Sequence, residues 1–205
     1  MKTPLFNVLL SCYNGGEFLQ PQIDSVLNQK NVRVSLFIRD DGSSDNLTRD
    51  VLQGYETEPR VTIDWGDNIG ITRSFYQLLR NAEEADFYAF CDQDDIWFED
   101  KLARAASGMG ENPSGPLLHC TGKIYTDPDL KPIGASTLCS KPVTLSNAVV
   151  ENVATGCTSA FNPQLRELAL KTTSLNGVYM HDWWFCLLAS AFGTVIFDEM
   201  PSIYY

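Results

Sequence analysis

The stretch Asp86-Phe-Tyr-Ala-Phe-Cys-Asp-Gln-Asp-Asp-Ile-Trp-Phe98 decides the fold. Phe87 to Cys91 is an unbroken apolar, aromatic-rich run, short enough to be a buried strand rather than a helix. It breaks into Asp92, Asp94 and Asp95, three carboxylates within four positions, where the strand must leave its sheet. In open α/β sheets that carboxyl edge is where ligands bind. Like charges this close repel unless something positive holds them, and a divalent cation preferring oxygen ligands is the natural partner. Asp92 and Asp94 alternate on an extended backbone, so both can face one side. The plain alternative is a solvated turn, with Asp95 or Asp100 capping a helix that begins near Lys101.

Upstream, Leu5 to Cys12 reads as a first buried strand and Tyr13-Asn-Gly-Gly16 as its exit turn. Phe18, Leu19, Ile23, Val26 and Leu27 then recur at helical spacing, with Pro21 assigned to the first turn, where proline is tolerated. Val34 to Ile38 is a second strand leaving through Arg39-Asp-Asp-Gly-Ser-Ser-Asp45. Ser43 or Ser44 is the expected cap of the next helix, which carries Leu47, Val51 and Leu52. Val61 to Trp65 is a third strand, Gly66-Asp-Asn-Ile-Gly70 its exit, and Ile71, Phe75, Leu78, Leu79 and Ala82 mark a third helix. Strand, polar loop and helix alternate, which predicts an α/β fold with a mainly parallel sheet flanked by helices. Tyr13, Asn14, Asp40, Asp41, Asn68 and the acidic cluster should therefore converge on one crevice.

Downstream the pattern loosens. Gly108 to Pro116 reads as a loop, Leu117 to Tyr125 as a strand, and Thr126 to Val143 shows no period. Asn152 to Phe161 is small-residue-rich and strand-like. Pro163 opens a helix with Leu165, Leu168 and Leu170. Met180 to Ala189 is a helix with His181 and Asp182 in its first turn, and Gly193 to Phe197 a last strand. A boundary near residue 110 divides one compact domain into residues 1–110, a nucleotide-binding half, and residues 111–205, a less regular half expected to meet a second substrate.

Composition narrows the function. A net charge of -11, from 26 acidic and 15 basic residues, argues against nucleic acid, whose phosphates need clustered Lys and Arg. Six cysteines are scattered through apolar runs without a Cys-x-x-Cys pair, which fits a reducing, cytoplasmic setting. No signal-peptide pattern opens the sequence, and the longest apolar run, Trp183 to Phe192, is too short for a bilayer. The apolar ending Pro-Ser-Ile-Tyr-Tyr205 reads as a truncation. Gly-x-Gly-x-x-Gly and the P-loop are both missing, and an EF-hand starting at Asp92 would put Trp97 and Ala103 where Gly and Glu are required. Taken alone, Asp41 reads equally as a turn residue or as a carboxylate accepting a pyrimidine N–H, and Tyr13 as core packing or a stacking face. Asp182 reads as a residue favoured near a helix N-terminus.

Together the segments Leu9-Leu-Ser-Cys-Tyr-Asn-Gly-Gly-Glu-Phe-Leu19, Gln22-Ile-Asp-Ser-Val-Leu-Asn-Gln29, Arg39 to Asp45, Asp67-Asn-Ile-Gly70, Phe90 to Trp97 and His181-Asp-Trp-Trp184 resemble the inverting family-2 glycosyltransferases of the GT-A fold, in their rhamnosyltransferase-like bacterial branch. The resemblance implies a UDP- or dTDP-sugar donor held with Mn²⁺ or Mg²⁺. It implies a saccharide or lipid-linked acceptor in polysaccharide synthesis, and leaves open peripheral association of the full-length protein with the inner face of the membrane. By the same resemblance Ser11, Tyr13 and Asp41 would hold the base, and Asn14 and Asn68 would join the donor site. Asp92 would contact the ribose and share the metal with Asp94, and Asp182 would be the general base. The Arg-Gln-His-Gly-like segment that normally follows in this branch is absent. A related nucleotidyltransferase would want a basic, glycine-rich loop after the first strand, and a haloacid-dehalogenase-type phosphatase a nucleophilic Asp there. A donor-binding module without turnover remains the non-enzymatic alternative.

Overall fold

The computed structural model describes residues 3–110, 114–136 and 143–205. The run quoted above is β4 (Phe87–Cys91), and every residue in it is buried. It lies beside β1 (Leu5–Cys12), which pairs on its other edge with β2 (Arg33–Asp40), and β2 pairs with β3 (Val61–Trp65); all these pairings are parallel. The chain thus steps outward from β1 to β3 and returns to the opposite side of β1, making a topological switch point between β1 and β4.

Alternation along these strands loads both faces. Phe6, Val8, Leu10 and Cys12 pack with Leu19, Ile23 and Val26 of α1 (Gly16–Leu27) and Leu52 of α2 (Asn46–Tyr55). Leu9 joins Tyr88, Phe90 and the apolar stripe Phe75, Leu78, Leu79 of α3 (Ile71–Asn81) on the other face. Strands buried on both sides read as continuous apolar runs, which is why their sequences show no polar alternation. Beyond β4 come β5 (Ile96–Trp97) and α4 (Lys101–Met109).

The large sheet continues past residue 110. β6 (Leu117–Thr121), β9 (Ala160–Phe161) and β10 (Thr194–Asp198) complete the order β10-β6-β9-β4-β1-β2-β3, with only the short β9 antiparallel to its neighbours. A second sheet, β5-β11-β7-β8, joins β7 (Ile124–Thr126) and β8 (Pro132–Ala135) to β11 (Ile203–Tyr204). Helices α5 (Leu145–Ala148), α6 (Pro163–Leu170) and α7 (His181–Phe192) complete the described elements. Among the described residues, no helix is long and apolar enough to cross a membrane.

Several sequence expectations change. The cap of α2 is Asp45, whose carboxylate accepts from Thr48 N at 2.7 Å; Ser43 and Ser44 are used by the loop before it. Pro21 lies within α1 rather than in its first turn, on the solvent side, where water can serve the carbonyl its missing N–H leaves free. Asp100 occupies the N-cap of α4 without a side-chain cap bond. Leu117 to Tyr125 is two strands in two sheets, broken at Gly122-Lys123. Asn152 to Phe161 is mostly loop and a 3₁₀ turn (Gly156–Thr158), because its small residues pack against α7 and β4 instead of pairing. Cys12, Cys91, Cys157 and Cys186 are free and buried, and Cys120 is buried; Cys139, part of the loop Gly108 to Pro116 and part of the irregular stretch Thr126 to Val143 lie outside the described residues.

Candidate active site

The exits of β1, β2 and β4 and the loop after β3 open onto one crevice of about 410 Å³, a size that suits a small-molecule ligand. Its lining includes Ser11, Tyr13, Asp41, Asn68, Asp92 and Asp94, six of the predicted site residues. Gln93, Gly70, Ile71 and Tyr205 complete it and were not expected.

Each wall has a local cause. Asp41 is buried and grips the loop after β3: Oδ1 accepts from Ile69 N at 3.0 Å and Oδ2 from Gly70 N at 2.9 Å. Arg39, also buried, stands 3.4 Å from Asp41 Oδ1 and donates to the carbonyl oxygens of Asp40 and Asp67. Gly66 is required here, since a Cβ on it would stand 2.4 Å from the Arg39 guanidinium. Gly42 has φ +81, and a Cβ there would meet Asn68 N at 2.8 Å, so the two exit loops touch through a residue without a side chain. A carboxylate has about four acceptor positions, and these contacts take roughly three of Asp41's.

Tyr13 is 48% exposed, its ring free on the crevice side of a backbone that Gln93 fixes. Gln93 Oε1 accepts from Tyr13 N at 2.8 Å and its Nε2 donates to Tyr13 O at 3.3 Å, tying the β1 exit to the acidic loop. Ser11 Oγ lies 2.6 Å from Ser74 Oγ at the head of α3. Asn14, placed by sequence with the donor-binding residues, does not line the crevice. Its Oδ1 accepts from Ser44 N at 2.9 Å and Asp45 N at 3.3 Å, so it staples two exit loops together from a left-handed backbone (φ 51).

The three carboxylates of the acidic loop separate. Asp92 and Asp94 reach the crevice, whereas Asp95 is buried beneath it, 2% exposed. Asp92, Asp95 and Cys157 bring donor atoms within 4.8 Å of one another. Burial, then the charges of Asp94 and Asp182, push the Asp92 carboxyl up to about 6. Burial and Asp92 push Asp95 up to about 7, and its Oδ2 has no hydrogen-bond partner. Lys101, buried on α4 against the Trp97 ring, partly offsets this charge and is itself pushed down to about 8 by burial. With its side-chain amide assigned in the orientation that satisfies both of its polar atoms, Gln22 of α1 braces the loop by donating to the Asp95 carbonyl and accepting from Trp97 Nε1 at 3.2 Å. Asp95 and Cys157 were not legible as neighbours, being far apart in sequence.

Asp182 is buried in the first turn of α7 and does not line the crevice. Its Oδ2 accepts from Gly156 N at 2.9 Å and Oδ1 from Trp183 N at 2.6 Å. Burial raises its carboxyl above the usual range and these hydrogen bonds oppose the shift. It nevertheless stands close enough for its charge to raise Asp92, which joins two acidic positions ninety residues apart. Beside it His181 stacks on Phe75 with ring centres 3.9 Å apart, and neither ring nitrogen finds a partner.

A parallel sheet with its switch point under an acidic crevice is the GT-A glycosyltransferase architecture. Staphylococcus aureus TarS (residues 1–349, in complex with UDP-GlcNAc) superposes with a TM-score of 0.73 at 18% identity, over 98% of this chain and 58% of that one. The sequence profile of glycosyl transferase family 2 matches residues 7–169, and the chain belongs to that family. Among curated relatives, dTDP-rhamnosyl transferase RfbG of Shigella flexneri is 33% identical over 102 residues, covering 47% of this chain and 35% of its own. The putative teichuronic acid biosynthesis glycosyltransferase TuaG of Bacillus subtilis is 30% identical over 156 residues, covering 75% of this chain and 60% of its own. The chain therefore spans between about a third and three fifths of the length of these relatives.

Proposed function

We propose that the protein transfers a sugar from a UDP- or dTDP-linked donor to a saccharide or lipid-linked acceptor in polysaccharide synthesis, inverting the anomeric centre. The observation that carries this reading is the meeting of Tyr13, Asp41, Asp92 and Asp94 in one crevice at the carboxyl edge of the sheet. Tyr13 offers its exposed face to the base, and the acceptor position remaining on Asp41 takes the pyrimidine N–H. Ser11 and Asn68 flank the base, and Asp92 accepts from the ribose. Residues 1–110 hold the donor and residues 111–205 meet the acceptor.

Asp92 and Asp94 are hard oxygen ligands on one wall, and burial, with the charges of Asp94 and Asp182, makes the Asp92 carboxyl a weaker acid than usual. This donor set fits Mn²⁺ or Mg²⁺. Such an ion would offset the charge that develops on the leaving diphosphate.

The reaction breaks the bond between the anomeric carbon and the diphosphate oxygen as the acceptor hydroxyl oxygen forms its bond from the opposite face. Asp182 takes the hydroxyl proton, and the nucleoside diphosphate departs with the electron pair of the broken bond. One displacement needs one base, so no covalent sugar intermediate forms. Burial of Asp182 raises its proton affinity in the direction a general base requires.

Calorimetry with UDP and dTDP, with and without Mn²⁺, tests the reading. Nucleotide should bind the wild type in a Mn²⁺-dependent manner, and Asp94→Asn should remove that dependence, because an amide is a far poorer ligand for a hard cation. A wild type that binds neither nucleotide overturns the reading; equal affinity in Asp94→Asn places the cation elsewhere.

A further inference from the structure

Among the described residues the crevice is lined by three carboxylates, Asp41, Asp92 and Asp94, and by no cationic side chain. A nucleoside diphosphate would bring still more negative charge to it. The two buried cations nearby are already engaged. Arg39 is paired with Asp41 and the loop carbonyls, and Lys101 lies under the acidic loop between the Trp97 ring and Ser202 Oγ, 3.4 Å from its ammonium.

Lys123 is different. It sits in the break between β6 and β7, half-buried, with Nζ 3.7 Å from the centre of the Tyr205 ring and 5.6 Å from that of Tyr125. Tyr205 lines the crevice, so this ammonium rests against a residue of the crevice wall, although Lys123 itself is not among the lining residues. The perch is rigid. Lys123 N donates to Ser136 Oγ at 3.0 Å and its carbonyl accepts from Ser136 N at 2.9 Å. Tyr205 N donates to Ile124 O at 2.8 Å, and Thr126 N to Tyr205 O at 3.1 Å, so the same strands hold both the lysine and its platform. Among the described residues Lys123 has no ion-pair partner. An ammonium held on a ring face beside unneutralised carboxylates is poised for an anion entering between them.

We propose that Lys123, carried on Tyr205, is the side chain that binds the donor's diphosphate, sharing its charge with the metal and stabilising the diphosphate as it leaves. This rests on the nucleotide-sugar reading above. The competing account is that Lys123 only lays its aliphatic stem along Tyr205 and Tyr125 at the surface.

Titration calorimetry separates the two. Uridine, UMP and UDP are titrated, with and without Mn²⁺, into the wild type and into Lys123→Met, Lys123→Gln and Lys123→Arg. Met preserves the stem on Tyr205 and removes only the charge; Gln supplies a second neutral variant should Met fail to fold. The expected result is a loss of UDP affinity of about tenfold or more in both neutral variants, the size of a lost charge-assisted contact, with uridine unchanged and Arg near wild type. UDP affinity within about twofold of wild type in a folded neutral variant overturns the proposal. So does an equal loss of uridine and UDP, which would mark Lys123 as structural. A wild type that binds none of the three, and no dTDP either, instead overturns the nucleotide-sugar reading, and Lys123's role falls with it; one that binds dTDP alone moves the same variants to thymidine, dTMP and dTDP.

Discussion

Asp41→Asn separates a ligand-binding residue from one that builds the site. The Asp41 carboxylate accepts from Ile69 N and Gly70 N on different oxygens, and Oδ1 lies 3.4 Å from the Arg39 guanidinium. An asparagine keeps one oxygen, so in either amide orientation one backbone N–H faces an NH₂ group. An unsatisfied buried donor costs about 1–3 kcal/mol. Removing one partner of a buried ion pair costs about 3–5 kcal/mol, but Arg39 keeps the carbonyls of Asp40 and Asp67, which softens that figure. A combined loss of about 3–5 kcal/mol follows, or a melting temperature lower by about 10 °C in a chain of this size. Thermal melts followed by circular dichroism measure it. Arg39→Met with Asp41→Asn should cost less than the sum of the single changes, because the stranded charge is gone. Melting of Asp41→Asn within about 2 °C of wild type would refute the reasoning and leave Asp41 as a ligand-binding residue only.

Under the proposed function, Asp182→Asn should lower kcat by about 10²–10⁴-fold with nucleotide affinity nearly unchanged; near-normal transfer would reduce Asp182 to a structural acceptor for Gly156 N. His181 should make the protein acid-sensitive. Burial between Phe75 and Phe90 pushes it down to about 3 from the ordinary 6.5, so below pH 6.5 the unfolded chain takes up a proton that the folded one refuses. Its contribution to stability is thus complete above pH 6.5 and lost as pH falls. Asp92 and Asp95 oppose this in the wild type, since their raised values favour the folded state as pH falls. The stability of His181→Phe relative to wild type should therefore rise by about 1.4 kcal/mol per unit from pH 6 to pH 4, measured by urea unfolding; a constant difference would show that His181 titrates normally in the fold.

The sequence by itself determined the first half of the fold. Runs such as Phe6 to Leu10 and Phe87 to Cys91 are buried on both faces, and a polar or glycine-rich loop follows each strand, so the parallel sheet and the crevice position follow from local pattern and the parallel-sheet rules. It also marked Asp92 and Asp94, because nothing apolar masks a carboxylate cluster at a strand end. Only the tertiary structure decided which polar groups are spent on holding the fold. Asn14 and Asp41 look alike as polar loop residues, but one staples loops outside the crevice and the other grips a backbone inside it. Asp95 differs from Asp94 by one position and lies buried against Cys157, a neighbour sixty-two residues further along the chain. Lys123 precedes β7 and Tyr205 follows β11, elements three and two residues long whose pairing comes from the second sheet rather than from any period in their own sequence. Short strands carry too few residues for a pattern. Long-range hydrogen bonds and burial place them, and with them the only ammonium seated on the crevice's wall among the described residues.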